Sequence, residues 1–295
     1  MSTAEHDGGS AGGPTVRRTL LGAQLRRLRD AKGVSREDAG WAIRASESKI
    51  SRMELGRVGF KERDIADLLT LYGVADTDER AALLMLAHEA NKPGWWQPYV
   101  DLIPNWLQNY LDLEAAAVVI RTYEVQFVPG LLQTDAYARA VILLGYGSAG
   151  TEEIDRRVGL RMARKQLLTR PEPPQLWVVM DEAVLRRPIG GPEVMRAQIE
   201  ALEEARRLPN VRLQVIPFRA GGHAAAGGAF SVLRFPDPDL PDVVYIEHLT
   251  SALYLDGRED VDRYAEAVGR LFIEAEPLIR TQEILRAAAH EISAG

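Results

Sequence analysis

From Leu21 to Leu55, every apolar stripe with helical spacing is cut short by a glycine or a serine. Leu21, Leu25 and Leu28 recur at i, i+4 and i+7 and stop at Gly33, giving a first helix with one inward face and Arg26, Arg27 and Arg29 elsewhere on it. Ser35 is a natural N-cap with Asp38 three residues on, and Ala39 and Ile43 form the inward face of a second helix that extends only to about Arg44. Ser46 caps a third, Glu47 to Leu55, which turns Ile50 and Met53 inward and projects Glu47, Ser48, Lys49 and Arg52 outward before Gly56 ends it. Two more amphipathic segments follow, Lys61 to Tyr72 with Ile65, Leu68, Leu69 and Tyr72, and Asp78 to Ala90 with Ala82, Leu83, Leu86 and Ala87. Helices this short are marginal alone and must pack on one another, so residues 17–90 read as an all-α domain of five helices. A tight turn between two short helices, the second starting with small and charged side chains, is the helix-turn-helix arrangement that lays a recognition helix in the DNA major groove.

A net charge of -6 argues against a nucleic-acid partner only if the charge is evenly spread. Residues 1–63 hold 13 Lys and Arg against 8 Asp and Glu, while residues 64–295 hold 23 against 34. The basic bias therefore sits on the five-helix segment, as binding to phosphates requires. The Gly/Ser-rich residues 1–16 have too few apolar side chains to order themselves and read as a flexible leader. Residues 91–104 (NKPGWWQPYVDLIP), with three prolines and a glycine, read as a linker, packed through Trp95, Trp96 and Tyr99. The chain starts with neither a basic nor an apolar signal segment and has no apolar run long enough to span a bilayer, so the expectation is a cytoplasmic protein without a membrane partner. The absence of cysteine removes thiolate nucleophiles and every cysteine-based metal site, and leaves His6, His88, His223, His248 and His290 as scattered nitrogen ligands.

The stretch Leu21 to Arg57 (LGAQLRRLRDAKGVSREDAGWAIRASESKISRMELGR) is similar to the XRE, lambda/434 Cro-repressor-like, family. Its Gly33-Val34-Ser35, Ser46, Ile50-Ser51-Arg52 and Glu54-Leu55-Gly56-Arg57 fit that family's pattern without gaps. The resemblance implies that Glu47, Ser48, Lys49 and Arg52 face base edges, where Lys and Arg donate to guanine, Glu accepts from cytosine and Ser serves either partner. It implies phosphate contacts from Ser35, Arg36, Arg57 and Lys61, an ion pair of Arg29 with Glu54, and a homodimer on double-stranded DNA with inverted half-sites about one helical turn apart. This sequence departs from the pattern in four places. Arg36 replaces the usual Gln and favours a phosphate contact. Arg44 stands where glycine commonly ends helix two, so the turn is strained or reshaped. Gly40 replaces Ala and allows unusually close helix contact, and Trp41 occupies a normally exposed face, where packing on the C-terminal domain is favoured over lying along the DNA backbone.

Residues 105–295 read as a mixed α/β (α+β) domain. Helices are expected over Leu111–Arg121, Asp135–Leu144, Thr151–Thr169, Pro192–Arg207, Val261–Glu274 and Pro277–Ile292, with four or five strands in LWVVMDE, VRLQVIPF, AFSVLRF, VVYIEHLT and ALYLD. Together with YEVQFVPGLLQTDAYARA and HAAAGGAFSVLRF, these segments resemble the C-terminal domain, without an established activity, of the WhiJ-like actinobacterial regulators. That likeness implies a small acidic partner protein of the BldB-like kind. Asp181-Glu182 and Glu247-His248 fall at strand ends, but no HxH, HExxH or nucleophile-elbow spacing accompanies them, and no enzyme activity, metal or cofactor is expected. The Gly221–Gly228 loop lacks the Lys-Ser/Thr of a phosphate loop and reads as a hairpin, with a lid over an effector pocket as the functional alternative. The whole reads as a sequence-specific transcriptional regulator whose C-terminal domain senses a ligand or a protein. The alternative is an antitoxin-like or hub protein that sequesters a partner and regulates its own promoter.

Overall fold

A computed structural model describes residues 14–225, 227–238 and 240–294, in two compact units. The first takes in the described chain to Pro98, together with Gln108–Ala116 and Asp237–Leu240. Its five helices are α1 (Pro14–Lys32), α2 (Arg36–Ala42), α3 (Glu47–Glu54), α4 (Glu62–Leu71) and α5 (Thr77–Ala90). Of the leader expected over residues 1–16, residues 1–13 lie outside the described residues, and residues 14–16 open α1 instead.

The helices form where the caps allow. Ser35 accepts from the Asp38 amide at 3.0 Å, Ser46 from the Lys49 amide at 3.3 Å, and Asp76 from the Asp78 and Glu79 amides at 2.8 and 2.9 Å, using donors that the helix itself leaves unmatched. The inward stripes of Leu21, Leu25, Ala39, Ile43, Ile50 and Met53 meet Ile65, Leu68, Leu83 and Ala87 in one core. Asn91 clamps the turn before α4, accepting from the Phe60 amide at 3.1 Å and donating to the Phe60 carbonyl.

The linker is packed only in part. Trp96 is 9% exposed and donates its indole N–H to Asp112 Oδ1 at 2.8 Å, whereas Trp95 is 40% exposed. Asp112 lies on α6 (Asn105–Ala116) and also accepts from the Thr15 hydroxyl at 2.8 Å. Gln108–Ala116 belongs to the first unit, whereas Tyr99–Leu107 belongs to the second.

The second unit is built on a six-stranded sheet of β1 (Val119–Glu124), β2 (Gln175–Asp181), β3 (Val211–Ile216), β4 (Phe230–Arg234), β5 (Val243–Glu247) and β6 (Ala252–Leu255), in the order β3-β2-β1-β4-β5-β6. Strands β1, β2 and β3 run parallel, and β4, β5 and β6 continue the sheet antiparallel from β1. The helices α7 (Asp135–Tyr146), α8 (Thr151–Lys165), α9 (Ala183–Arg186) and α10 (Pro192–Ala205) lie in the crossovers between the parallel strands, and α11 (Arg258–Glu274) and α12 (Leu278–Ala294) close the chain. The core on one face gathers Tyr123, Val179, Phe230, Val232 and Val244 under Val261, Val268 and Leu271 of α11.

One expectation is corrected. The helix expected over Leu111–Arg121 ends at Ala116, and the chain turns into β1 at Val119. Val119 and Ile120 are β-branched, alternate in burial, and fill the middle of the sheet between β2 and β4. This sixth strand is the one the periodicity conceals.

Candidate nucleic-acid interface

The exposed face of the first unit is built from α2, the turn after it, and α3. Helix α3 is seated by its Ser46 cap, by Ile50 and Met53 in the core, and by Gly22, where a Cβ would stand 2.5 Å from the Met53 carbonyl oxygen. Only glycine lets α1 and α3 approach this closely. The result fixes the outward direction of the first two turns of α3. Glu47, Ser48 and Arg52 are exposed, and Arg52 Nε donates to the Ser48 carbonyl at 3.3 Å, which aligns its guanidinium along the helix.

Lys49 departs from the expected set. Its ammonium sits 2.6 Å from Asp64 Oδ2, on a carboxylate whose side chain is 2% exposed. The structure thus turns Lys49 toward α4, where it compensates a buried charge instead of facing outward with Glu47, Ser48 and Arg52. Asp64 was missed in the sequence, although it stands four residues before Leu68 and hence on the inward stripe of α4.

The four expected phosphate ligands divide similarly. Arg57 and Lys61 are exposed, and neither side chain makes an ion pair or hydrogen bond among the described residues. Ser35 is exposed, but its hydroxyl is engaged in the cap and donates to Asp38 Oδ2 at 2.7 Å. Arg36 Nε lies 2.9 Å from Glu54 Oε2, while Arg29 holds Glu54 Oε1 and donates Nη1 to the Val34 carbonyl at 2.8 Å. Glu54 therefore ties α1, α2 and α3 at one buried point. The hydrogen bond to Glu54 raises the pKa of Arg29 against the opposing effect of burial.

The turn from α2 into α3 takes the strained form. Arg44 has φ of 54° and is the one non-glycine with positive φ among the described residues. Gly40 receives the Ala45 amide on its carbonyl at 2.8 Å, and a Cβ there would stand 2.7 Å from the Ala45 carbonyl oxygen, which is the close contact expected of it. Within the first unit, Trp41 lies on the outer side of α2. It is 77% exposed, because the buried positions of α2 are Ala39 and Gly40 and the indole lies on the opposite side.

In the second unit the carboxylates considered for catalysis have structural partners. Asp181 Oδ1 accepts from the Ala183 amide at 2.8 Å, Glu182 accepts from Arg186 and from the Phe218 amide, and Glu247 accepts from the Tyr245 hydroxyl at 2.9 Å. Among the described residues no three His, Asp or Glu side chains gather as a metal site would require, and no helix is long and apolar enough to cross a membrane.

A capped, braced helix with an exposed polar start, following a shorter helix across a tight turn, defines the class of helix-turn-helix DNA-binding regulators. Residues 20–83 match a family model described as a helix-turn-helix domain, in agreement with the XRE-like pattern. Residues 107–287 match the model described as Domain of unknown function (DUF5753), and the chain belongs to that family. No curated protein and no solved structure matches the chain.

Proposed function

We propose that this protein is a sequence-specific transcriptional regulator that binds an inverted-repeat operator as a homodimer through the 46–55 segment. The observation that carries this reading is the exposure of Glu47, Ser48 and Arg52 on a helix braced by the Ser46 cap and the Glu54 junction. Arg52 donates to a guanine, Glu47 accepts from a cytosine, and Arg57 and Lys61 hold the flanking phosphates. In the same reading the chain is a cytoplasmic, WhiJ-like actinobacterial protein that is not an enzyme. Its C-terminal domain senses a small molecule or a small acidic BldB-like protein.

Footprinting on the promoter nearest its own gene, at moderate salt, tests the proposal. Two protected half-sites in inverted repeat, about one helical turn apart, are expected. Protection that does not depend on sequence would refute operator recognition.

A further inference from the structure

The sensing reading gains a definite location in the second unit. At the carboxyl ends of the parallel strands, where β1 leads to β2 on one side and meets β4 on the other, the chain order of the sheet reverses. Between β4, β5 and α11 lies a cavity of about 210 Å³, lined by Ala224, Ala225, Phe230, Ile246, Tyr264 and Ala267, together with exposed Arg263. It exceeds the roughly 150 Å³ apolar cavity known to take up benzene.

The walls are aromatic and the cover is made of small residues. The rings of Phe230 and Tyr264 meet edge to face at 4.9 Å. The described loop residues that line it are alanines and glycines, including Gly227 and Gly228. The loop is pinned from below. The Ala225 amide donates to His223 Nδ1 at 3.2 Å, so His223 carries its proton on Nε2 and donates it to the Tyr123 hydroxyl at 2.8 Å. Tyr123 lies directly across the β1–β4 ladder from Phe230, which couples the pinned loop to the aromatic wall. Arg263 reaches Glu259 with one nitrogen at 2.8 Å, and a guanidinium has further N–H donors to offer.

The geometry points to a binding site for a small aromatic carboxylate, its ring between Phe230, Tyr264 and the alanine-glycine loop, its carboxylate at Arg263. This assignment rests on the regulator reading only for its purpose, since the cavity stands independently of operator binding.

Calorimetric titration of the full-length protein with benzoate and with benzene tests it. Wild type is expected to bind benzoate saturably at one site per chain. Ala267→Phe, which fills the cavity, is expected to weaken both probes by roughly tenfold or more without lowering the thermal transition. Ala267→Leu serves the same purpose if the phenylalanine variant does not fold. Arg263→Gln is expected to weaken benzoate by about threefold to fivefold and leave benzene unchanged. Failure of either probe to saturate wild type, or equal affinity of the filled variant, would overturn the site. Benzoate that binds but leaves operator affinity unchanged would keep the site and refute the sensing role. Loss of operator specificity in the ligand-free protein would refute the regulator reading alone.

Discussion

Arg52 and Lys49 lie three residues apart on the same short helix, and their surroundings assign them different work. Arg52 is exposed and aligned by the Ser48 carbonyl, so Arg52→Ala should relax base choice by about 1–3 kcal/mol. Arg57→Ala should instead weaken every sequence alike and flatten the salt dependence, as the loss of a phosphate contact does. Binding measured on an operator and a scrambled duplex at two salt concentrations separates the two effects, and identical profiles would refute the assignment. Lys49→Met leaves the Asp64 carboxylate only the Arg63 guanidinium at 3.7 Å, and chemical denaturation should show a loss of about 1–3 kcal/mol, largely recovered in the double variant Lys49→Met, Asp64→Leu. A selectivity change as large as that of Arg52→Ala, with stability intact, would restore Lys49 to the base-reading set.

At the scale of elements, the helices of the first unit were legible because caps and stripes agree. Ser35, Ser46, Gly33 and Gly56 mark ends that packing leaves almost unchanged. The turn between α2 and α3 was half legible. The positions of Gly40 and Arg44 showed that something unusual happens there, but the choice between strain and reshaping depends on Ala45 approaching Gly40. Arg44→Gly should relieve the left-handed residue and stabilise the protein by about 1 kcal/mol, read as a higher thermal transition. Gly40→Ala should lower the transition despite its better helix propensity, because its Cβ meets the Ala45 oxygen. Strand β1 was not legible, since Ala115 to Ile120 continues an apolar run whose helical part stops without a glycine or proline. Its pairing with β2 and β4, which decides the matter, comes from residues more than 50 positions away. The Lys49–Asp64 and Arg36–Glu54 pairs were hidden for the same reason, as charge in a sequence carries no direction.

For the molecule as a whole, the net charge of -6 is an average over unlike parts: 13 basic against 8 acidic residues to position 63, and 23 against 34 beyond. Some of that acidity is costly to the fold. Burial, reinforced by the nearby Glu247 carboxylate, pushes Glu124 up to about 8 against the pull of Arg164 and Arg161. Unfolding releases this carboxyl to its ordinary range. The unfolded state therefore loses the proton first as pH rises, and the chain should lose stability from about pH 4.5 up to about pH 8. Glu124→Gln mimics the neutral form, so its melting temperature should equal the wild type's near pH 4 and exceed it increasingly toward pH 9. A constant difference across that range would contradict the assignment. The bonds that Thr15 and Trp96 make to Asp112 bear on how such proteins are recombined. A hybrid regulator joined at Ala90 would lose both the indole and the acceptor, and one joined at Pro104 would leave the first helix and the indole without their shared acceptor. A DNA-reading head moved intact to another regulator must take the chain through Ala116.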